Sequence, residues 1–215
     1  MSTKRRSRAS AGRRGLMLDA ALDLFLEAGV GNCRVEDLFA RSGASVGSFY
    51  HHFGSKPALA AALYLEILEK FQADFLTELH RSRSARAGIQ GMVRHQLRWV
   101  ATDPQRSAYL FQCLEPEVFT VCHEDETRLT TAFFAKCGEW LQKYSDAGHI
   151  RRMSFLEYYA LWMGPTLELT RAWLMNSQGK WTWMSAEQCR PAGLLGMEKT
   201  LADAAWQALR ARSDT

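Results

Sequence analysis

The sequence predicts an all-α fold, on three observations. Apolar residues recur every three or four positions along most of the chain, no segment alternates with the two-residue period of a half-buried strand, and no segment repeats. The patterns separate into an arm at residues 1–12, a three-helix unit at 13–54 and a larger helical domain at 55–215.

The arm mixes Arg, Ser, Ala and Gly without apolar periodicity, which reads as a flexible basic segment. From Arg13 a helix places Leu16, Ala20, Ala21, Leu24, Phe25 and Ala28 on one stripe, and Gly29 ends it. A short helix over Val35–Ser42 follows, closed by Gly43, which supplies the positive φ of a turn. Ser45 then caps a second short helix through Phe53. Phe49 and Phe53, spaced i,i+4, point inward with Ala44 and Leu38, leaving Gly47, Ser48, Tyr50 and His51 outward. Two short helices joined by a glycine turn make a helix-turn-helix, whose second helix reads a major groove with its N-terminal residues.

Ser55 caps the next helix, which tolerates Pro57 in its first turn and carries Leu59, Leu63, Ile67, Phe71 and Phe75 to about His80. Residues 81–86 are a polar break. Helical patterns resume through Ile89, Val93, Leu97 and Val100, and again after Asp103-Pro104 through Tyr109, Leu110 and Leu114, with Pro116 as a stop. Residues 117–125 carry no assignable pattern. A helix over 126–144 holds Leu129, Phe133, Cys137, Trp140 and Leu141, and the apolar helix Phe155–Met175 is interrupted at Gly164-Pro165. After a Trp-containing linker, a last helix runs over 192–210.

The net charge of +4 is unevenly placed: residues 1–56 hold nine Lys and Arg against five acids, and the remaining 159 residues balance at eighteen each. The excess positive charge therefore lies with the helix-turn-helix, as a phosphate-facing part requires. A hydrophobic content of 47% suffices for a packed core, no apolar run is long enough for a membrane span, and residues 1–15 lack the apolar stretch of a secretory signal. A cytoplasmic protein without a membrane segment is expected. Five Cys with no Cys-x-x-Cys pair argue against a disulfide framework and a zinc site. His51 and His52, adjacent on a helix, point about 100° apart and cannot share one ion. No nucleotide-binding glycine loop or nucleophile elbow is present, so neither an enzyme nor a cofactor is expected.

In the order Ala20 to Phe25, Gly29, Val35 to Ala40, Gly43-Ala44-Ser45, Gly47-Ser48-Phe49-Tyr50, Phe53 and Lys56, the segment from about Arg13 to Leu65 resembles the TetR family of transcriptional repressors. The resemblance implies an N-terminal three-helix DNA-binding domain and a C-terminal helical domain for ligand binding and dimerisation. It puts Val35, Ser45, Val46, Gly47, Ser48, Tyr50, His51, His52 and Lys56 on DNA. Val46 departs from the basic or polar residue common there, and an apolar side chain can touch a thymine methyl instead. The resemblance further implies a homodimer released from a palindromic operator by a small-molecule effector; the alternative is a DNA-binding protein without an effector, acting architecturally or through a protein partner.

All seven Trp lie after residue 90. Most belong to core and dimer interface, and a cavity between helices lined by rings with a few polar groups is the sharper reading. His95, Trp99, Gln112, Trp140, Trp162 and Thr166 are the candidate lining, and Glu168 with Arg171 reads as an i,i+3 ion pair. The apolar helices 155–175 and 192–210 are expected to pair with their copies, with Gly164, Ala202 and Ala205 allowing close approach.

Overall fold

The computed structural model describes residues 2–112 and 115–211, with side chains from Gly12 onward; the expected apolar Leu114, Cys113 and the basic side chains of the arm lie outside the described residues. Eleven helices form among them: α1 (Ser2–Asn32), α2 (Val35–Ser42), α3 (Val46–His52), α4 (Lys56–Arg81), α5 (Ala85–Thr102), α6 (Pro104–Gln112), α7 (Pro116–Asp146), α8 (Phe155–Trp162), α9 (Gly164–Ser177), α10 (Pro191–Leu195) and α11 (Glu198–Leu209). They group into two compact units: residues 1–69 with 108–128, and 70–107 with 129–215.

In the first unit, α1 packs on α2. Helical backbone begins at Ser2, ahead of the expected start at Arg13. The ladder breaks at Gly29 (φ 80, ψ 159), where the sequence ends the helix, and one further turn leads to Asn32. The buried face is wider than the expected stripe: Met17, Leu18, Ala21, Leu22, Leu24 and Phe25 are buried, whereas Leu16 is 57% exposed. A helix with neighbours on more than one side needs this breadth. Phe25 stacks on Tyr109 at 6.2 Å, and the Tyr109 hydroxyl donates to the Ala60 carbonyl at 3.0 Å.

Pro116 opens α7 rather than closing the preceding helix. Its missing N–H costs nothing at a first helical position, where no intrahelical acceptor exists. Residues 117–125, unassigned from the sequence, form the first turns of α7, with Val118 and Cys122 buried.

In the second unit α5 is central, packed against α9, α10 and α11, and α8 packs on α9 and α11. Ser84 caps α5, and its face Ile89, Val93, Leu97 and Val100 is fully buried, as the spacing requires. Gln90 Nε2 donates to Asp203 at 2.7 Å, and Arg98 forms a two-pronged pair with Glu198 at 2.9 and 3.1 Å. Ser154 and Glu157 make a capping box at the start of α8, and the Gly164-Pro165 interruption separates α8 from α9. The expected last helix is split, with α10 ending at Leu195, ahead of Gly196, before α11 begins. Ala202 and Ala205, expected to meet a second copy, are buried within the chain, on the helix that packs against α5.

Gly88 is a packing requirement. A Cβ there would lie 2.2 Å from Cζ2 of Trp140, so the indole sits directly on the backbone of α5. Gly88→Ala is expected to destabilise the protein by roughly 1–3 kcal/mol, the range for overpacking a filled core. Urea unfolding checks this, and an unchanged midpoint would show that Trp140 rotates away freely.

Candidate functional site

The turn between α2 and α3 is built from local hydrogen bonds. Gly43 adopts φ 66 and ψ 13, and its N–H donates to the Phe39 carbonyl at 2.9 Å. Ser42 Oγ accepts from the Ala44 N–H, and Ser45 Oγ accepts from the Ser48 N–H at 3.2 Å, the expected cap. Phe49 is 1% exposed and meets Phe39 edge-on at 5.6 Å, which anchors α3 to α2. The opposite face is open: Ser45, Val46, Gly47, Tyr50 and His51 are exposed, and Ser48, His52 and Val35 half-buried. Val46 and Tyr50 are 55% and 59% exposed, Tyr50 with its ring edge-on to Phe49 at 5.1 Å, so α3 turns a set of apolar and polar side chains outward from its first turns, the part of a second helix that reads a groove.

Lys56 is placed differently from its neighbours. Its Nζ donates to the carbonyls of Gly31 and Cys33, both at 2.8 Å, tying the first residue of α4 to the turn that ends α1. Arg41 forms a two-pronged pair with Glu27, whose carboxyl that hydrogen bond holds below its usual range. Arg14 pairs with Glu66 at 2.6 Å and lies 5.8 Å over the Phe53 ring. Burial, followed by the charges of His51, Arg14 and Arg13, pushes the His52 pKa down.

Of the candidates of the larger domain, His95, Trp99, Trp140 and Trp162 are linked through the rings of Phe71 and Phe75, and one candidate stands apart. Gln112 lies in the first unit, and both polar atoms of its amide are buried without a protein partner. The others lie in the second unit. Trp140 and Trp162 stack at 5.9 Å, and the Trp162 indole donates to the Ile89 carbonyl at 3.0 Å. Trp99 packs on Phe71 at 4.8 Å, and Thr166 is 1% exposed. Trp140 also borders a surface cleft of about 230 Å³ with His80, Ser82, Lys136, Glu139, Lys143 and Tyr144. Glu168 and Arg171 pair at 2.6 Å as expected, and Arg171 lies 4.5 Å over Trp181. No group of three His, Cys, Asp or Glu among the described residues is arranged for a metal, and no described helix is long and apolar enough to cross a membrane.

Sequence reasoning missed Gln96 and Thr170. Both are fully buried, on helices that pack together, and neither Gln96 Nε2, Gln96 Oε1 nor Thr170 Oγ1 has a protein partner. The signal was available: Gln96 stands seven residues after Ile89 and three before Trp99, a polar residue on an otherwise apolar helix face. His95, beside it, has its Nε2 orphaned and its ring 6.2 Å from Phe75 and 6.5 Å from Phe71. Each orphaned atom costs about 1–3 kcal/mol.

Burial holds the His95 pKa below its ordinary 6.5, against Glu78 and Asp74, which raise it, and with Lys70, which lowers it further. The folded state then binds fewer protons than the unfolded one between the two pKa values, so stability is full above about 6.5 and falls as the pH drops through that window. Melting temperature should fall between pH 7.5 and 5.5, and the fall should shrink in His95→Leu. An equal fall in both proteins would assign it elsewhere. Gln96→Met, nearly equal in volume, should raise stability by about 1–3 kcal/mol by removing two orphaned atoms; a loss in chemical denaturation would show that the amide is satisfied in solution.

The sequence pattern of bacterial regulatory proteins of the tetR family matches residues 17–63. The HTH-type transcriptional regulator RutR of Escherichia coli strain K12 is 32% identical over 114 residues, 53% of this chain and 52% of that protein. The chain thus spans about half the length of the curated relatives it matches. A TetR family transcription regulator from Marinobacter aquaeolei VT8 superposes with a TM-score of 0.69 at 17% identity, over 96% of this chain and 100% of that one. The transcriptional regulator FadR from Bacillus subtilis, in complex with stearoyl-CoA, gives 0.71 at 15% identity, over 90% and 97%. At these identities the two structures establish likeness of fold.

Proposed function

We propose that this chain belongs to the tetR family of bacterial regulatory proteins and is a cytoplasmic DNA-binding transcriptional regulator, a repressor that a small molecule releases from a palindromic operator. The observation that carries the reading is the capped helix α3, held from behind by Phe49 and presenting Ser45, Val46, Gly47, Tyr50 and His51 to solvent. In it, Ser45, Ser48, His51, His52 and Lys56 meet phosphates, while Gly47 permits close approach and Val46 and Tyr50 meet base edges or methyl groups. Lys56 has three N–H groups and spends two on carbonyls, which leaves one for a phosphate. Residues 13–54 are the reading part, and the helices from α4 onward are the effector-binding and dimerisation part.

A second copy of the chain would cover the apolar face of α8, where Phe155, Leu156, Tyr159 and Leu161 are between 38% and 74% exposed. A two-fold pair places two α3 helices on successive turns of a duplex, which makes the operator a palindrome. The effector would enter the second unit, where His95, its Nε2 orphaned, stands beside the rings of Phe71 and Phe75, and where Gln96 and Thr170 carry further orphaned polar atoms. Such a lining suits an uncharged or weakly polar, aromatic or aliphatic compound.

Selection from a random-sequence duplex library should enrich a palindrome, and its affinity should fall steeply with salt. Tyr50→Ala should cost about 1–3 kcal/mol on that duplex and little on unrelated DNA, whereas Lys56→Ala should lower melting temperature and flatten the salt slope by about one unit. Failure to enrich any sequence would refute the reading. A compound that quenches Trp fluorescence and releases the selected duplex separates an effector-controlled regulator from an architectural DNA-binding protein. Sedimentation as a monomer at micromolar concentration would remove the dimer.

A further inference from the structure

The helix-turn-helix is a loop closed at its base. Residues 34–55 leave the chain at the turn that ends α1 and return at Lys56, whose Nζ binds the carbonyls of Gly31 and Cys33. That knot is held from its other side. Glu115, the residue before α7, accepts the Val30 N–H at 2.8 Å on Oε1 and the Gly31 N–H at 3.2 Å on Oε2. These N–H groups need an outside acceptor because Gly29 at φ 80 and ψ 159 has broken the α1 ladder just before them. The approach is close: a Cβ on Gly29 would stand 3.3 Å from Glu115 Oε1. Opposite charges thus grip one short turn, a carboxylate on its N–H groups and an ammonium on its carbonyls.

The carboxylate comes from far along the sequence, 85 residues from Val30. It is carried by the segment 108–128, which packs in the same unit as α1 to α3, with Tyr109 hydrogen-bonded to Ala60 and stacked on Phe25. We propose that Glu115 is a positioning residue for DNA reading: it fixes the turn on which both ends of the helix-turn-helix are anchored, and so sets where α3 stands without touching DNA. This inference rests on the DNA-binding reading above. It predicts loss of fit to a specific site with no loss of phosphate contacts.

The test compares the wild-type chain with Glu115→Gln and Glu115→Ala on the duplex enriched from the random library and on an unrelated duplex of equal length. Glu115→Ala should weaken binding to the enriched duplex by about 10- to 100-fold, with an unchanged salt slope and unchanged affinity for the unrelated duplex. Amide exchange at Val30 and Gly31 should quicken. Glu115→Gln, which keeps one carbonyl acceptor, should fall between, and circular dichroism should show both variants helical. If affinity for the enriched duplex is unchanged while exchange at Val30 and Gly31 quickens, Glu115 merely caps the turn and the proposal is wrong. If both duplexes weaken together with a changed salt slope, it acts through charge, which also overturns the proposal. A wild-type chain that binds neither duplex would instead bring down the DNA-binding reading, and this inference with it.

Discussion

The turn Gly29–Cys33 is the point on which the reading head depends. A helix that stops leaves N–H and C=O groups without partners, and close to a protein surface they must find side chains or water. Here the donors meet Glu115 and the acceptors meet Lys56, so the turn is satisfied by charged groups of the sign that each face requires. Hydrogen bonds with one ionised partner are about twice as strong as neutral ones. Because Lys56 is also the first residue of α4, the same contact that satisfies the turn closes the helix-turn-helix into a loop of fixed base. α3 has only seven residues and could not hold its place by intrinsic helical propensity. Its position comes from this base and from Phe49 packed on Phe39.

That arrangement frees the outer face of α3. A side chain that anchors a helix cannot also meet a ligand, and the two jobs are divided cleanly between the buried Phe49 and the exposed Val46, Gly47, Tyr50 and His51. Arg14 and Arg41 belong to the anchoring side, paired with Glu66 and Glu27. Exposed pairs of this kind add little stability, with typical values of about 0–1 kcal/mol. The positive excess of the first 56 residues therefore overstates the charge left open to a phosphate: part of it is already neutralised within the unit.

How much could be read in advance depends on how local each feature is. Gly43, the Ser45 cap, Phe49 and the limits of α2 were legible because each acts within four or five residues. The α8–α9 interruption at Gly164-Pro165 was legible for the same reason. Pro116 misled, since the same residue that cannot continue a helix is well suited to begin one, and here it stands first in α7. Lys56 reads as a phosphate contact in sequence, and its two carbonyl partners arise from a contact 23 and 25 residues distant. Ala202 and Ala205 could be placed on a small-residue face, but periodicity does not say whether that face meets α5 or a second chain.

The larger helices show a different limit. Burying Gln96 with neither amide atom paired is unfavourable, and an apolar residue of the same volume would pack α5 more stably. Gln90, earlier on the same helix, shows how the chain satisfies a buried amide when structure alone is at stake: Asp203 accepts from it at 2.7 Å. Trp162 is satisfied in the same way, by the Ile89 carbonyl. The contrast within one helix is informative, because the packing that supplies a partner for Gln90 and for Trp162 supplies none for Gln96, for Thr170 or for Nε2 of His95. Such unpaired groups reduce stability, and each is a polar atom that the packing of the helices leaves unused.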